Sequence, residues 1–393
     1  MTLTPKESAV LAWLDAQAPA MVQLLQRIVD IDSGSYDKAG VDAVGQVLQA
    51  HLIEAGLDVE VLPGRQFGDG FAARLAAADG RNEPGHVLLM GHRDTVFPAG
   101  EAARRPFRIE DGKAYGPGVA DMKAGLVLNS FVMAALEAHG GAPLPVVALY
   151  TADEEIASPE GRGLIETMAR EAKAVFNAEP GRPTGSTGGG IVTSRNGALF
   201  QEVEITGVPA HSGANHKAGR SAIEAMAQKI VALHALTDYA AGVTVNVGLA
   251  QGGEAVNTVA PSARFAFDVR VPTMAAYATA EAAVDAILRA THVAGTTTRV
   301  VSRRAFLPVE EKAENQALFE HYQRTAGELG LTVQAVFSGG SADSGFTSAL
   351  GVPTICGTGP IGERAHTPEE VCHLATLVPR AQALALAVLR LSA

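Results

Sequence analysis

The feature that most constrains this chain is a series of apolar runs that each stop at an imidazole or a carboxylate. LLMGHRDTV runs from Leu88 to Val96, PVVALYTADEE from Pro145 to Glu155, and AVFNAEP from Ala174 to Pro180. Between them lie helical patterns from Lys123 to about His139 and near Gly163 to Ala172. Short apolar strands alternating with helices predict a sheet covered on both faces. In such sheets ligands gather beyond the carboxyl ends of the strands, so the polar residues that end these runs are the candidates for a site.

Beyond Gly185 the rhythm changes. STGGGIVTSRNG reads as a turn-rich seam. It is followed by strand ALFQEVEITG, helix SAIEAMAQKIVALHAL, strands GVTVNVGLAQG and ARFAFDVRV, helix MAAYATAEAAVDAILRATH and strand TTTRVVSRR. This β-α-β-β-α-β order predicts one sheet with two helices on a single face, an inserted unit over 193–302. The chain then returns to helix, strand VQAVFSG, a Gly-rich turn, strand VPTICG and a closing helix. The expected architecture is therefore α/β, with a discontinuous domain over 1–192 and 303–393 built on a mixed sheet with helices on both faces. An α+β, ferredoxin-like insert completes it.

Composition narrows the partners. With 393 residues and 47% hydrophobic content the chain can bury sizeable cores. A net charge of −11 and the lack of any basic run argue against a nucleic-acid face or an anionic-membrane anchor. The N-terminal stretch carries Asp and Glu at amphipathic spacing, so no signal peptide is expected, and no run of about 18 apolar residues suggests a membrane span. Cys356 and Cys372 are too few for a disulfide framework and read as reduced core thiols in a cytoplasmic setting.

The strand ends collect His92 and Asp94, Asp121 in GPGVADMKAG, Glu154 and Glu155 in TADEE, Glu179 in NAEPG, and His366 in ERAHTPEE. Imidazoles and carboxylates without thiolates suit zinc, cobalt or manganese, and two ions fit if one carboxylate bridges. Adjacent acids at a buried strand end repel each other unless a cation compensates. A serine nucleophile is disfavoured because GGSADSG lacks the G-x-S-x-G order. YGPGVAD lacks the full dinucleotide fingerprint, and STGGGIVTS lacks the lysine of a phosphate loop.

In this order and at these separations, GHRDTV, GPGVADMKAG, TADEE, NAEPG and AHTPEE resemble the five site motifs of the M20 metallopeptidase family, and the branch they look most like is the carboxypeptidase G2 type of glutamate carboxypeptidase. The resemblance implies a zinc-exopeptidase-like catalytic domain. It implies that His92 and Glu179 bind one zinc, Glu155 and His366 the other, and Asp121 both. Glu154 would be the general base, and Asp94 would hydrogen-bond the far nitrogen of His92 and fix its tautomer. The peptide Asp121-Met122 would be cis.

The resemblance further implies a lid that carries His211, Asn257 and Arg270 as oxyanion and substrate contacts, and a homodimer formed through that lid. Arg303 and Arg304 lie near another substrate-binding arginine of the branch, one residue out of register. SGGSADSGF resembles a Gly-rich loop that borders the site. The other histidines, His216, His234, His292, His321 and His373, show no such context. The activity implied is hydrolysis of an amide next to a free carboxylate in a small peptide or N-acyl amino acid, releasing a C-terminal glutamate or, in an aminoacylase-like alternative, an N-acyl group. Because the lysine-containing loop of the branch reads GRPTGSTGGG here, Arg182 or Arg195 would have to replace its contact to a glutamate side chain. The competing class, a silent binding protein, would be expected to lack Glu154 or a ligand, and none is missing.

Overall fold

A computed structural model describes residues 3–80 and 85–391. The chain divides into two compact units, one of Met1–Ser194, Glu311–Ser338 and Phe346–Ala393, the other of Arg195–Glu310 and Gly339–Gly345.

The first unit is built on an eight-stranded mixed sheet in the order Asp58–Leu62, Gly70–Leu75, Val146–Thr151, His86–His92, Ala172–Asn177, Thr354–Cys356, Gly189–Arg195, Val333–Ser338. Its centre is parallel, from Val146–Thr151 through His86–His92 and Ala172–Asn177 to Thr354–Cys356. All six residues of Val146–Thr151 are buried, which requires cover on both faces and explains why that run is apolar without alternation. Part of the cover is the helix Ala124–Ala138, apolar on every side but for Asn129, Ser130 and Glu137, whose first thirteen residues are buried. With the turn before it, Val119–Ala138 is long and apolar enough to cross a membrane, yet 94% of its apolar 18-residue stretch is buried inside this core.

The chain ends close on each other within this unit. Thr4 and Glu7 form a reciprocal capping box on the helix Pro5–Ala16. The same Glu7 accepts from Arg390 at 2.7 Å, and Arg390 also pairs with Glu328 at 2.7 Å. Three helices are thus tied by one guanidinium.

A second, smaller sheet follows the order Gly362–Glu363, Val371–His373, Lys113–Tyr115, Arg108–Glu110. Its strands are two or three residues long, too short to show in a hydrophobic pattern. It joins the hairpin that carries His366 to the segment that leads into Asp121.

The second unit has four antiparallel strands in the order Thr244–Gly252, Ser262–Val271, Gly197–Thr206, Thr297–Phe306, with helices Ala222–His234 and Met274–Arg289. Alternate residues of Ser262–Val271 are buried, so one face packs on the helices while the other stays open. Lys229 joins the two helices by donating to the carbonyls of Ile287 and Leu288, both at 2.9 Å, at the end of Met274–Arg289.

Two local readings change. The segment expected as a turn-rich seam contains the strand Gly189–Arg195, buried along its whole length, because glycines at its start let neighbouring backbone and Ile361 approach where a Cβ would intrude. The strand placed at 296–304 runs to Phe306, so the seam expected after residue 302 falls inside a continuous strand. Residues 339–345 also group with the second unit, through contacts that sequence periodicity does not encode.

Candidate active site

The strand His86–His92 ends in an extended HRD turn, and period-two alternation decides where its side chains go. The His92 and Asp94 side chains pack together and the Arg93 side chain does not join them. The Nδ1 of His92 lies 3.0 Å from the Asp94 carbonyl oxygen and 3.3 Å from its carboxylate, which leaves Nε2 for a ligand. Asp94 also accepts from Ser35 Oγ at 2.6 Å and from the backbone amides of Glu154 and Glu155 at 3.0 Å each. One carboxylate therefore orients a histidine and fixes the turn that presents both glutamates. Arg93 bonds the Val41 and Thr151 carbonyls at 3.1 and 3.2 Å and also meets the Asp69 carbonyl, bolting the strand end to its neighbours.

Two sets of donor atoms converge here, His92 with Asp121 and Glu179, and Asp121 with Glu155 and His366, each set lying within 4.8 Å. Asp121 belongs to both. Its oxygens are 3.2 Å from His92 Nε2 and 3.3 Å from His366 Nε2, and His366 is 3.1 Å from Glu155. Glu154 Oε2 stands 3.8 Å from His92 Nε2, so all seven residues collected from the strand ends are brought together. The peptide Asp121-Met122 is cis.

The electrostatics of the side chains show what the cluster lacks. Burial, and then the Asp121 charge, push Glu155 up to about 7. The hydrogen bonds that His366 donates to Asp121 and Glu155 raise it to about 10. Burial opposes the charged form of His92, yet Glu154, Asp121 and Asp94 raise it well above its ordinary value. Burial works against the Asp121 charge, but His366 and His92 hold its carboxyl far below the usual range. These shifts share one cause, an excess of carboxylate gathered around two imidazoles. The buried Oε1 of Glu155 has no hydrogen-bond partner among the described residues. Neutral imidazole nitrogen, carboxylate oxygen and an orphaned buried acceptor form a donor set that fits divalent cations.

One contributor went unrecognised in the sequence. Glu370, fully buried, accepts from the backbone amides of Gly118, Ala120 and Asp121 at 3.0, 2.8 and 2.9 Å. It clamps the turn of Asp121 to the hairpin of His366 across some 250 residues of sequence. Burial pushes its carboxyl up to about 7 despite those donors. Its only sequence signal is a Glu four positions after His366 in HTPEE, indistinguishable there from an exposed turn acid.

Within the second unit, backbone pairing between His211 and Thr258 and the Ser212 amide bonded to the Asn257 carbonyl at 3.0 Å bring His211 and Asn257 together. His211 is exposed and its Nδ1 accepts from the Gly213 and Ala214 amides at 3.1 Å, so the neutral ring carries its proton on Nε2. Arg270 lies over the Phe200 ring, donates to Asp268 at 2.9 Å and reaches Ser341 Oγ at 3.3 Å in the Gly-rich loop. Arg303 is exposed and paired with Glu281 and Asp285. Arg195 is buried and holds the Gly340 and Ser341 carbonyls at 2.8 and 2.9 Å, which assigns it to that loop.

Comparison with known proteins agrees with this geometry. Residues 88–390 match the peptidase family M20/M25/M40. Carboxypeptidase G2 of Pseudomonas sp. (strain RS-16) is 28% identical over 372 residues, covering 93% of this chain and 87% of that protein. Acetylornithine deacetylase of Proteus mirabilis (strain HI4320) is 26% identical over 393 residues, covering 93% and 95%. An M20 family metallo-carboxypeptidase from Sulfolobus solfataricus shares the fold with a TM-score of 0.75 at 18% identity, over 94% of this chain and 99% of that one. With its donor residues converging at the strand ends and the match running through most of its length, the chain belongs to peptidase family M20/M25/M40 and is a hydrolase of that family.

Proposed function

We propose that the protein is a two-metal amidohydrolase that cleaves an amide next to a free carboxylate in a small peptide or N-acyl amino acid. The observation that carries this reading is the pair of donor sets sharing Asp121, with Glu154 beside them. His92 and Glu179 would hold one cation, Glu155 and His366 the other, and Asp121 both. Zinc suits this donor set best, with cobalt or manganese as alternatives. When bound, such ions supply Lewis acidity that brings a water's pKa towards neutrality.

The chain's own residues then have defined tasks. Glu154 takes the proton of the attacking water on its carboxylate and later delivers it to the leaving nitrogen. Asp94 keeps Glu154 in place through its backbone amide and holds the His92 tautomer. Arg270 recognises the free substrate carboxylate, with Asp268 orienting its guanidinium. His211, protonated on Nε2, donates to the developing oxyanion beside Asn257. A homodimer formed through the second unit is supported by the edge strand Thr244–Gly252, which pairs on one side only within the unit and exposes Leu249. The buried free thiols of Cys356 and Cys372 favour a reducing, cytoplasmic setting.

The test is a panel of dipeptides and N-acyl amino acids assayed for amine release with zinc, manganese or cobalt, before and after chelation. Hydrolysis that depends on added metal and fails on the corresponding amino-acid amides is expected. Metal-independent hydrolysis, or none on any member, overturns the proposal.

A further inference from the structure

A cavity of about 540 Å³ opens beside Glu155, walled by Tyr36, Val96, Phe97, Pro98 and Ile156. That volume lies within the roughly 300–1,000 Å³ of small-molecule sites. Its walls are fixed rather than loose. The Thr95 amide donates to the Ser33 carbonyl at 2.8 Å, and the Asp32 carboxylate accepts from the Gly100 and Ala102 amides at 2.7 and 2.8 Å, so the 32–37 and 95–102 segments are stapled together. Gly34 permits this approach, since a Cβ there would come within 2.6 Å of the Phe97 carbonyl oxygen. Ser35 in the same wall donates to Asp94, which places the cavity in direct bonded continuity with the catalytic turn.

Despite this anchoring the cavity keeps apolar surface in water. Tyr36 is 68% exposed, with its ring edge-on to Phe67 at 5.9 Å, and Val96 is 44% exposed. The ionisable groups in the lining other than the Tyr36 phenol are Asp37 and Glu155, and no cation among the described residues lines it. Arg105 stacks on the Phe97 ring but is paired with Glu101 and bonded to the Pro368 carbonyl.

We infer that this cavity is the subsite for the acyl side of the scissile amide, and that it selects an uncharged apolar or aromatic acyl group. The inference rests on the amidohydrolase reading above. The amino-acid side of the substrate carries a free carboxylate, which a cavity with Asp37 in its wall and no cationic side chain in its lining would disfavour, Glu155 being left out of that balance because it belongs to the donor cluster. The acyl side has no such charge. A rigid aromatic or branched chain there would cover Tyr36 and Val96 at little ordering cost. An acetyl group would leave most of the volume unused, and a succinyl group would bring its terminal carboxylate towards Asp37.

The experiment compares acetyl, hexanoyl, benzoyl and succinyl derivatives of one amino acid, so that leaving group and carboxylate contact stay constant. The benzoyl and hexanoyl substrates are expected to exceed the acetyl one by about tenfold or more in kcat/KM, and the succinyl one to gain nothing over acetyl. In Tyr36→Ala and in Val96→Asp, both changes at exposed side chains, the benzoyl-to-acetyl ratio should fall at least severalfold, with melting temperatures confirming that the proteins are folded. Hydrolysis indifferent to the acyl group, a succinyl preference, or an unchanged ratio in both variants overturns the subsite while leaving the amidohydrolase reading intact. No hydrolysis of any derivative overturns both.

Discussion

At the scale of single residues, the adjacent acids Glu154 and Glu155 meet different neighbours because one turn points them apart, which is what gives them different tasks in the proposed reaction. Glu154 Oε2 approaches His92, whereas Glu155 meets His366 and has an oxygen without a hydrogen-bond partner among the described residues. Glu154→Gln is therefore expected to keep its metal content and fold while kcat falls by roughly a hundred- to ten-thousandfold, the span of a lost general base. Metal analysis alongside turnover checks this, and near-normal turnover contradicts it. His92→Ala should behave oppositely, losing metal occupancy first. Glu370 makes a third case. In Glu370→Gln one carboxylate oxygen becomes an amide donor facing backbone N–H groups, so the Asp121 turn loses its clamp. Metal affinity should fall by about ten- to a hundredfold, read by chelator competition without any turnover assay. Glu370 also shows where sequence reading ends. His92, Asp94, Asp121, Glu154, Glu155, Glu179 and His366 were legible because strand ends and recurring motifs mark them. The partners of Glu370 are backbone amides some 250 positions away, and backbone amides leave no residue type to read.

At the scale of elements, the same division recurs. The central strands and the helix Ala124–Ala138 were legible because burial on both faces demands uninterrupted apolar residues. The strand Gly189–Arg195 was obscured by glycines, which usually signal turns but here permit close packing. The two- and three-residue strands of the small sheet carry no period at all. A glycine inside Ala124–Ala138 gives the prediction proper to this scale. A Cβ on Gly125 would overlap the carbonyl oxygen of Ala178, the residue before Glu179. Backbone cannot swing aside as a flexible side chain can, so Gly125→Ala should force the helix from the strand end. We expect a destabilisation of about 1–3 kcal/mol, measured by denaturant unfolding, together with weakened metal binding because Glu179 moves with Ala178. Gly163→Ala supplies the comparison, since a Cβ there meets nothing within 4 Å and should be neutral to slightly stabilising.

At the scale of the whole molecule, the residues given roles in the proposed reaction divide between two compact units: the donor cluster and Glu154 on one, His211, Asn257 and Arg270 on the other. The proposed dimer raises the question of whose site His211 serves. Its exposure suits a long reach, and its Nδ1 is already committed to the Gly213 and Ala214 amides, so Nε2–H is the donor it has to offer. We predict that it acts on the partner subunit's site. Arg270→Lys is not informative here, because it alters carboxylate recognition whichever subunit is served. Mixing two inactive proteins is informative. A heterodimer of His211→Ala with Glu154→Gln then contains one site with an intact base and an intact histidine from the other chain, so an equal mixture should return to about a quarter of the activity of the unmodified enzyme once subunits exchange freely. If His211 serves its own subunit, each site in the heterodimer keeps one defect and mixing restores nothing. A size-tagged partner establishes that exchange has occurred, and the metal content of both proteins establishes that neither lost its donor cluster. Exchanged heterodimers without recovered activity, or a fully active monomer, would place the histidine in its own subunit's reaction and leave the donor geometry of the first unit as it stands.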